Sequence, residues 1–312
     1  MPKQIALILL NWNTPRHTID CILSIQQYCD AQLFDIIVVD NGSTDNSLAL
    51  LQDRFPDLIY IDNKENLGFA EGNNRGLVYS VANGYTYSLI INTDTLVDED
   101  IVTKLSKHLN LYTRAAAVQP AIYWLHNKTK LWNGEGCFNA FLGKTISSTT
   151  LPNQNNITGY KIAEWVTGCC MMIRNAALAT NGGFNKRFFL YYEDVELSFR
   201  LRNAGYELHY LPSCKMYHEA GVSAKIEKKE GFLSPVIHYY TSRNHTWFLR
   251  QYGKPLYYPV NFVYNGAYYL SLLAYFILRG RFNKARCLLK GLNEGLFAPK
   301  TLIWNPNNSS IH

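Results

Sequence analysis

The sequence predicts an α/β fold built on a Rossmann-like, mostly parallel central sheet flanked by helices, with a helical extension at the C-terminal end. Three observations carry this expectation. Runs such as QIALILLN (4–11) and DIIVVD (35–40) are almost wholly apolar, without the alternation of a half-exposed strand. Strand and helix signals alternate about every fifteen residues in the first third of the chain. Polar clusters close each apolar run, at Asn11/Asn13, Asp40/Asn41, Asn63–Gly68 and Asn92/Asp94. Ligands of parallel sheets bind outside the carboxyl ends of the strands. Four such clusters in succession point to a crevice of nucleotide size.

The elements follow in order. Residues 4–11 read as a first buried strand. Thr14-Pro15 opens a helix to about Tyr28, since proline is tolerated in a first turn. Residues 35–40 form the second strand. Asn41–Asp45 is a turn whose Ser43 or Thr44 is expected to cap a helix over about 45–54. LIYID (58–62) is a third strand, a loop over 63–68 leads to a helix at about 69–82, and YSLIIN (87–92) is a fourth strand. The stretch 110–165 is less regular and is expected to include a mobile loop around 144–160. WVTGCCMMIR (165–174) returns to an apolar strand. Gly182-Gly183-Phe184 marks a turn, and 193–204 is a helix with a Glu196–Arg200 pair at i,i+4, ended by Gly205. YELHYL (206–211) is a further strand, expected to end before Pro212.

Composition narrows the function classes. Hydrophobic residues are 47% and charged residues 17% of the 312, which permits a large core and excludes a disordered chain. The net charge of +6 is unevenly placed. Residues 1–224 hold 18 Lys and Arg against 21 Asp and Glu, while residues 225–312 hold 12 against 3. An acidic body is a poor nucleic-acid binder, so no nucleic acid is expected as a partner. Seven scattered cysteines without a C-x-x-C suit reduced thiols in a cytoplasmic setting rather than zinc or disulfides. The apolar run at 5–10 is too short for a signal peptide.

The C-terminal region differs in character. HYYTSRNHTWFLRQYG (238–253) reads as an aromatic amphipathic helix. Residues 255–278 are largely apolar, but Pro259, Asn261, Asn265 and interspersed tyrosines weaken a spanning helix. Arg279, Arg281, Lys284, Arg286 and Lys290 follow directly. Tyrosines beside basic residues suit an interfacial segment, so a membrane surface is an expected partner.

Three constellations carry chemistry. Asn92-Thr93-Asp94 closes a strand, where a carboxylate can hold Mg²⁺ or Mn²⁺ against substrate phosphates. Tyr191-Tyr192-Glu193-Asp194 opens a helix, whose dipole favours ionised acids; a carboxylate there can act as general base towards a hydroxyl. His218 follows a strand. Neither a G-x-G-x-x-G nor a P-loop is present.

VVDNGSTDNS (38–47), NLGFAEGNNRG (66–76), Asn92–Asp94, YYEDVELSFRLRNAGY (191–206) and His218 occur in an order that resembles family 2 inverting glycosyltransferases of the GT-A fold, most nearly their rhamnosyltransferase-like branch. The resemblance covers about residues 4–250. It implies that Asp40 recognises the pyrimidine base, with Asn11, Asn13 and Asn41 lining the nucleoside pocket. Gly68, Asn73 and Asn74 would lie beside the ribose and diphosphate, with Asn92 and Thr93 next to them. Asp94 matches the last acid of the metal-binding D-x-D motif. Its first position is here Asn92, which removes one negative charge. His218 matches a histidine that completes the metal site. Asp194 matches the catalytic base, with Glu193 beside it, and Trp165 and Gly168 match the strand bordering the acceptor.

The resemblance further implies a catalytic domain over 1–235, with a nucleotide-binding half at 1–110 and an acceptor-side half at 111–235. A basic, aromatic extension follows at 236–312. The implied donor is dTDP-L-rhamnose, with a UDP-hexose or UDP-galactofuranose as the alternative. The implied acceptor is a glycan on a polyprenyl diphosphate lipid, at the cytoplasmic face of the cell membrane. A non-catalytic subunit that binds sugar nucleotide is the reading from another class. Joint retention of Asp40, Asp94, Asp194 and His218 argues against it.

Overall fold

The computed structural model describes residues 3–151, 159–221 and 233–299. The chain runs β1 (Ile5–Asn11), α1 (Pro15–Tyr28), β2 (Phe34–Asp40), α2 (Ser47–Arg54), β3 (Ile59–Asp62), α3 (Gly68–Ala82), β4 (Tyr87–Ile91), β5 (Thr95–Leu96) and α4 (Ile101–Leu111). It continues with β6 (Ala115–Trp124), β7 (Asn127–Asn133), β8 (Gly136–Asn139), β9 (Lys144–Ser147), β10 (Lys161–Ile162), β11 (Cys170–Arg174), α5 (Asn175–Asn181), α6 (Glu193–Asn203) and β12 (Glu207–His218). Three helices close it: α7 (Pro235–Tyr252), α8 (Tyr258–Leu278) and α9 (Phe282–Phe297).

The main sheet runs β10-β12-β6-β11-β4-β1-β2-β3. Strands β3, β2, β1 and β4 are parallel, and β12 is parallel to β6. Between these two groups lies β11, antiparallel to both β4 and β6. Strand β1 shows why its run is apolar on every residue. Ile5, Leu7 and Leu9 enter the core on one face of the sheet, while Ala6 and Ile8 enter the core on the other. The parallel strands carry Asn11, Asp40 and the start of the 92–94 turn to one edge.

The structure differs from the sequence expectations at several points. Residues 110–165 are not irregular: β6 to β10 lie there, and α4 precedes them, capped by the Asp100 carboxylate on the Thr103 N–H at 2.9 Å. Pro120 sits in β6, where proline speaks against an interior strand. It is accommodated because its partner β12 bulges between Leu211 and Lys215, next to the Leu211–Pro120 pair. The same bulge lets β12 run through Pro212 to His218. The strand expected over 165–174 begins only at Cys170. Of the mobile loop expected at 144–160, residues 144–147 form β9, paired with β8, and 152–158 lie outside the described residues. Neither Ser43 nor Thr44 caps α2; Ser43 binds Asp40, Thr44 binds Asn13, and the Asp45 carboxylate receives the Ser47 N–H at 3.0 Å.

Helix α7 packs into the body. Trp247 meets Phe188, and Phe248 meets Trp165 and Val195. Helix α9 lies tight on α7, since a side chain at Gly291 would overlap the Tyr239 carbonyl and the Ser242 hydroxyl. Two histidines pair behind the sheet: His108 Nε2 and His209 Nδ1 are 2.8 Å apart, both buried, with Tyr160 stacked on His209. Burial, with His209 nearby, holds His108 down at about 4. Cys21, Cys29, Cys169, Cys170 and Cys214 are buried, and burial pushes the Cys21 thiol up to about 12 and Cys29 to about 11.

Candidate active site

The carboxyl ends of β1 and β2 build one wall. Asn11 donates from Nδ2 to Asp40 Oδ1 at 2.8 Å and is itself held by the Thr18 hydroxyl at 2.7 Å. Ser43 donates its hydroxyl to Asp40 Oδ1 and its N–H to Oδ2, at 2.7 and 2.9 Å. A carboxylate offers about four acceptor directions. Asp40 therefore keeps capacity for one further donor at Oδ2. Asn13, at φ +53°, accepts the Thr44 N–H at 2.8 Å and so folds the 43–45 turn over this wall.

Both ends of the Asn41 amide are engaged within the fold. Its Nδ2 donates to Asn66 Oδ1 and the Gly68 carbonyl, and its Oδ1 accepts from Asn63 Nδ2 and the Leu67 N–H. It fastens the 63–68 loop to β2. Gly68 has φ +76°, and a side chain there would overlap Phe189. Asn73 and Asn74 are also corrected. Both are buried: Asn73 donates to the Phe69 carbonyl of its own helix, and Asn74 grips Phe184 N and O at 2.9 Å each. Their position in the second turn of α3 makes Asn74 a clamp between α3 and the 183–184 turn, not a group presented to a ribose.

The short strand β5 pairs with the end of β12, Thr95 opposite His218. This brings Asp94 Oδ1 to 3.0 Å from His218 Nε2. Burial works to raise the Asp94 carboxyl, but the hydrogen bond and charge of His218 outweigh it and hold it below the usual range. His218 is buried, with the Trp132 ring edge-on at 4.3 Å and no partner for Nδ1. The pair offers one carboxylate and one imidazole. Among the described residues no group of three or more His, Cys, Asp or Glu could hold a metal ion. The carboxylate fits an oxygen-preferring cation that takes its remaining ligands from substrate phosphates and water, as Mg²⁺ commonly does, and the imidazole joins it only after giving up the proton it shares with Asp94.

The catalytic candidates sit one step away. Asn92 donates its N–H to the Cys169 carbonyl at 2.8 Å, and the adjoining Gly168 donates its N–H to Asp194 Oδ2 at 2.9 Å. Residues 168–169 therefore join the 92–94 turn to the start of α6. Asp194 Oδ1 also accepts the Val195 N–H at 2.8 Å. Burial raises the Asp194 carboxyl, while these amides oppose the rise. Glu193 is 5% exposed, with Oε2 unpartnered, and burial together with the Asp194 charge raises it further. Of the two, Asp194 is the group whose environment supports the ionised form. Trp165 is buried, with its indole N–H on the Cys137 carbonyl at 3.1 Å, so it borders the site without offering a polar group.

Residues 8–179 match the family described as glycosyl transferase family 2. The chain belongs to that family. Over 201 residues it is 25% identical to the N-acetylglucosaminyl-diphospho-decaprenol L-rhamnosyltransferase of Mycobacterium tuberculosis, spanning 59% of this chain and 66% of that one. Over 203 residues it is 27% identical to the rhamnosyltransferase WbbL of Escherichia coli, spanning 61% and 75%. Two solved glycosyltransferases share the fold. GalNAc-T7 with UDP, GalNAc and Mn²⁺ superposes at a TM-score of 0.61, 12% identical, over 81% of this chain and 52% of its own. The mannosyltransferase of Pyrobaculum calidifontis with GDP-Man and Mn²⁺ gives 0.57, 15% identical, over 94% and 87%.

The glycosyltransferase thus gathers Asn11, Asp40, Asn92, Asp94, His218, Gly168 and Asp194 along one edge of its sheet, and assigns Asn41, Asn73 and Asn74 to scaffolding. Sequence reasoning missed its most connected support. Phe189, Tyr191 and Tyr192 all have positive φ, an unfavourable run for side chains of this size. Asn244 of α7 holds that run, donating from Nδ2 to the carbonyls of Phe188, Leu190 and Tyr191 at 2.8, 2.9 and 2.7 Å. Arg243 adds bonds to the Arg187 and Phe188 carbonyls at 2.9 and 3.1 Å. The available signal was SRNH (242–245), four polar residues in the middle of an aromatic helix.

Proposed function

We propose that this glycosyltransferase moves L-rhamnose from dTDP-L-rhamnose to a hydroxyl of a lipid-linked surface glycan, with inversion, at the cytoplasmic face of the cell membrane. The observation that carries the reading is the seam at 168–169, which sets the Asp94–His218 pair beside Asp194. The wall of Asn11, Asp40 and Ser43 supports a pyrimidine nucleotide, because the N3–H of the base is a donor suited to the remaining acceptor direction of Asp40. The two rhamnosyltransferase relatives support the sugar and, for one of them by its name, a polyprenyl diphosphate carrier.

Asp94 and His218 would hold a divalent cation, which when bound supplies positive charge against the departing nucleoside diphosphate. The chain's own residues do the rest. The carboxylate of Asp194, aimed by the amides of Gly168 and Val195, takes the proton of the acceptor hydroxyl. That oxygen forms a bond to the anomeric carbon as the bond from that carbon to the diphosphate oxygen breaks. The pair of electrons leaves with the nucleoside diphosphate. One displacement inverts the centre and needs no covalent nucleophile. A raised carboxyl is a stronger base than an ordinary aspartate, which suits this role.

Calorimetry with dTDP-rhamnose, UDP-glucose, UDP-galactose and GDP-mannose, each with Mg²⁺, Mn²⁺ or chelator, tests the reading. Selective binding of dTDP-rhamnose is expected. A preference for a UDP-sugar overturns the rhamnose assignment, and binding of none overturns the donor site.

A further inference from the structure

Helix α8 is built inside out. Its buried residues include Asn261 and Asn265, 5% and 9% exposed, while Val263, Leu270 and Leu278 are 70%, 68% and 85% exposed. The inward amides have work to do. Asn261 donates to the carbonyls of Ala140 and Phe141 at 3.1 and 2.7 Å, and Asn265 to that of Leu142 at 2.9 Å. His245 Nε2 holds the Gly143 carbonyl at 2.7 Å, and Tyr269 holds His245 Nδ1 at 2.7 Å. The turn between β8 and β9 is thus tied to α7 and α8 by polar groups, and Val263, Leu270, Ile277 and Leu278 are left facing outward, while Phe276 packs inward against α9.

Val263, Leu270 and Ile277 stand seven residues apart and form one outward stripe. Exposed Leu256, Phe282 and Phe141, the last against Tyr257, extend the patch. A patch of this kind on a chain surface marks an interaction site. Charge chooses its partner. No Asp or Glu occurs between Leu233 and Glu294, and exposed Arg279 and Arg286 follow the stripe along the chain, while Lys290 lies over the Tyr239 ring of α7 at 5.4 Å. Lys284, expected in this basic face, is buried and does not belong to it. Among the described residues no helix is long and apolar enough to cross a membrane. Behind α8 a cavity of about 590 Å³, lined by Leu249, Tyr269, Leu273, Leu289, Leu292 and Leu296, continues the apolar surface between the three helices.

We propose that α8 lies in the plane of an anionic lipid surface, with Val263, Leu270 and Ile277 in the bilayer interface and Arg279 and Arg286 on phosphate headgroups. This rests on the membrane reading given above and names the face that makes the contact. The β8–β9 turn then rides on a helix fixed at the membrane. Through Thr145, whose hydroxyl is 3.4 Å from that of Tyr192, the hairpin reaches the residue just before the catalytic acids.

Vesicle flotation of the full chain tests this, using phosphatidylcholine alone and phosphatidylcholine with phosphatidylglycerol. Wild type is expected to float with the anionic vesicles, less so as salt rises. Val263→Glu/Ile277→Glu is expected to weaken binding at least about thirtyfold, and Arg279→Gln/Arg286→Gln about twenty-fivefold, at on the order of fivefold per basic residue. Circular dichroism and glycosyl transfer to a water-soluble acceptor are expected to stay at wild-type levels, showing intact folds. Wild-type and Val263→Glu/Ile277→Glu chains that float equally would overturn α8 as the contact while leaving the membrane reading intact. A wild type that floats with neither vesicle overturns both. A wild type that fails to float but dimerises, with the double variant monomeric, assigns the face to a second copy and overturns the lipid proposal.

Discussion

The side-chain amide of Asn244 donates to the carbonyl of Tyr191 at 2.7 Å, from a helix more than fifty residues along the chain. Tyr191 and Tyr192 are both left-handed, and Glu193 and Asp194 follow at once. Helix α6 therefore starts from a backbone that the C-terminal helices hold in place. Asn244→Ala leaves three carbonyls without this donor. Turnover is expected to fall on the order of tenfold to a hundredfold, with stability lower by about 1–3 kcal/mol. Donor affinity by calorimetry is expected to remain within about twofold, since the wall at Asp40 is untouched. Equal losses in donor affinity and turnover would show general unfolding instead of misplacement.

Asp194→Asn is expected to lower turnover roughly a thousandfold or more with donor binding retained. Glu193→Gln keeps a neutral, similarly shaped group where burial already favours the neutral acid, so its turnover is expected within about tenfold of wild type. The reversed ranking assigns the base to Glu193.

The pH profile follows from the same pair. Burial raises the Asp194 carboxyl above its ordinary value of 3.8, so its basic form is lost earlier as pH falls. The acid limb of kcat/KM is expected above that value, and it belongs to the Glu193–Asp194 pair as a unit. A limb at or below the ordinary aspartate range removes Asp194 from the role.

Asp94→Ala and His218→Ala are expected to weaken donor binding in Mg²⁺ or Mn²⁺ by about tenfold each. The double variant is expected to lose little more, since the two residues act on one ion. Chelator is expected to weaken wild type and leave the variants nearly unchanged. Additive losses that persist in chelator would place the effect on protein packing.

His108 supplies a stability test away from the site. It titrates near 4 in the fold and near 6.5 in a free chain, so between those values the unfolded state binds a proton that the fold excludes. Its contribution is complete above about pH 7 and is lost as pH falls towards 4, amounting to roughly 2–3 kcal/mol. Denaturant melts of wild type and His108→Gln are expected to converge by about that much from pH 7 to 4. A constant gap sinks the assignment.

The first third of the chain was readable because β1, β2 and β4 are buried almost throughout, which leaves few polar residues within them, Asp35 and Ser88, to confuse the period. The polar residues at their ends were visible for the same reason. Residues 111–235 were not. Pro120 and Pro212 each argue locally against a strand, and only their meeting at one bulge in two neighbouring strands accommodates them. Asn41, Asn73 and Asn74 stand in motif positions, but sequence does not tell an amide that faces a ligand from one that ties a loop. The hydrogen bonds of Asn41 and Asn74 tie loops, and Asn73 donates within its own helix. In α8 the asparagines read as flaws in an apolar helix, whereas they are its inner face.

The sulfur atoms along the seam give the enzyme a built-in clock. Cys169 lies between the amide that holds Asp194 and the carbonyl that holds Asn92, and burial raises its thiol well above the usual range. It is 4% exposed, so a soluble alkylating agent reaches it only when the fold around it opens. The rate at which that one thiol is modified therefore times how often the two halves of the active site let go of each other, and a bound donor that bridges them should slow it.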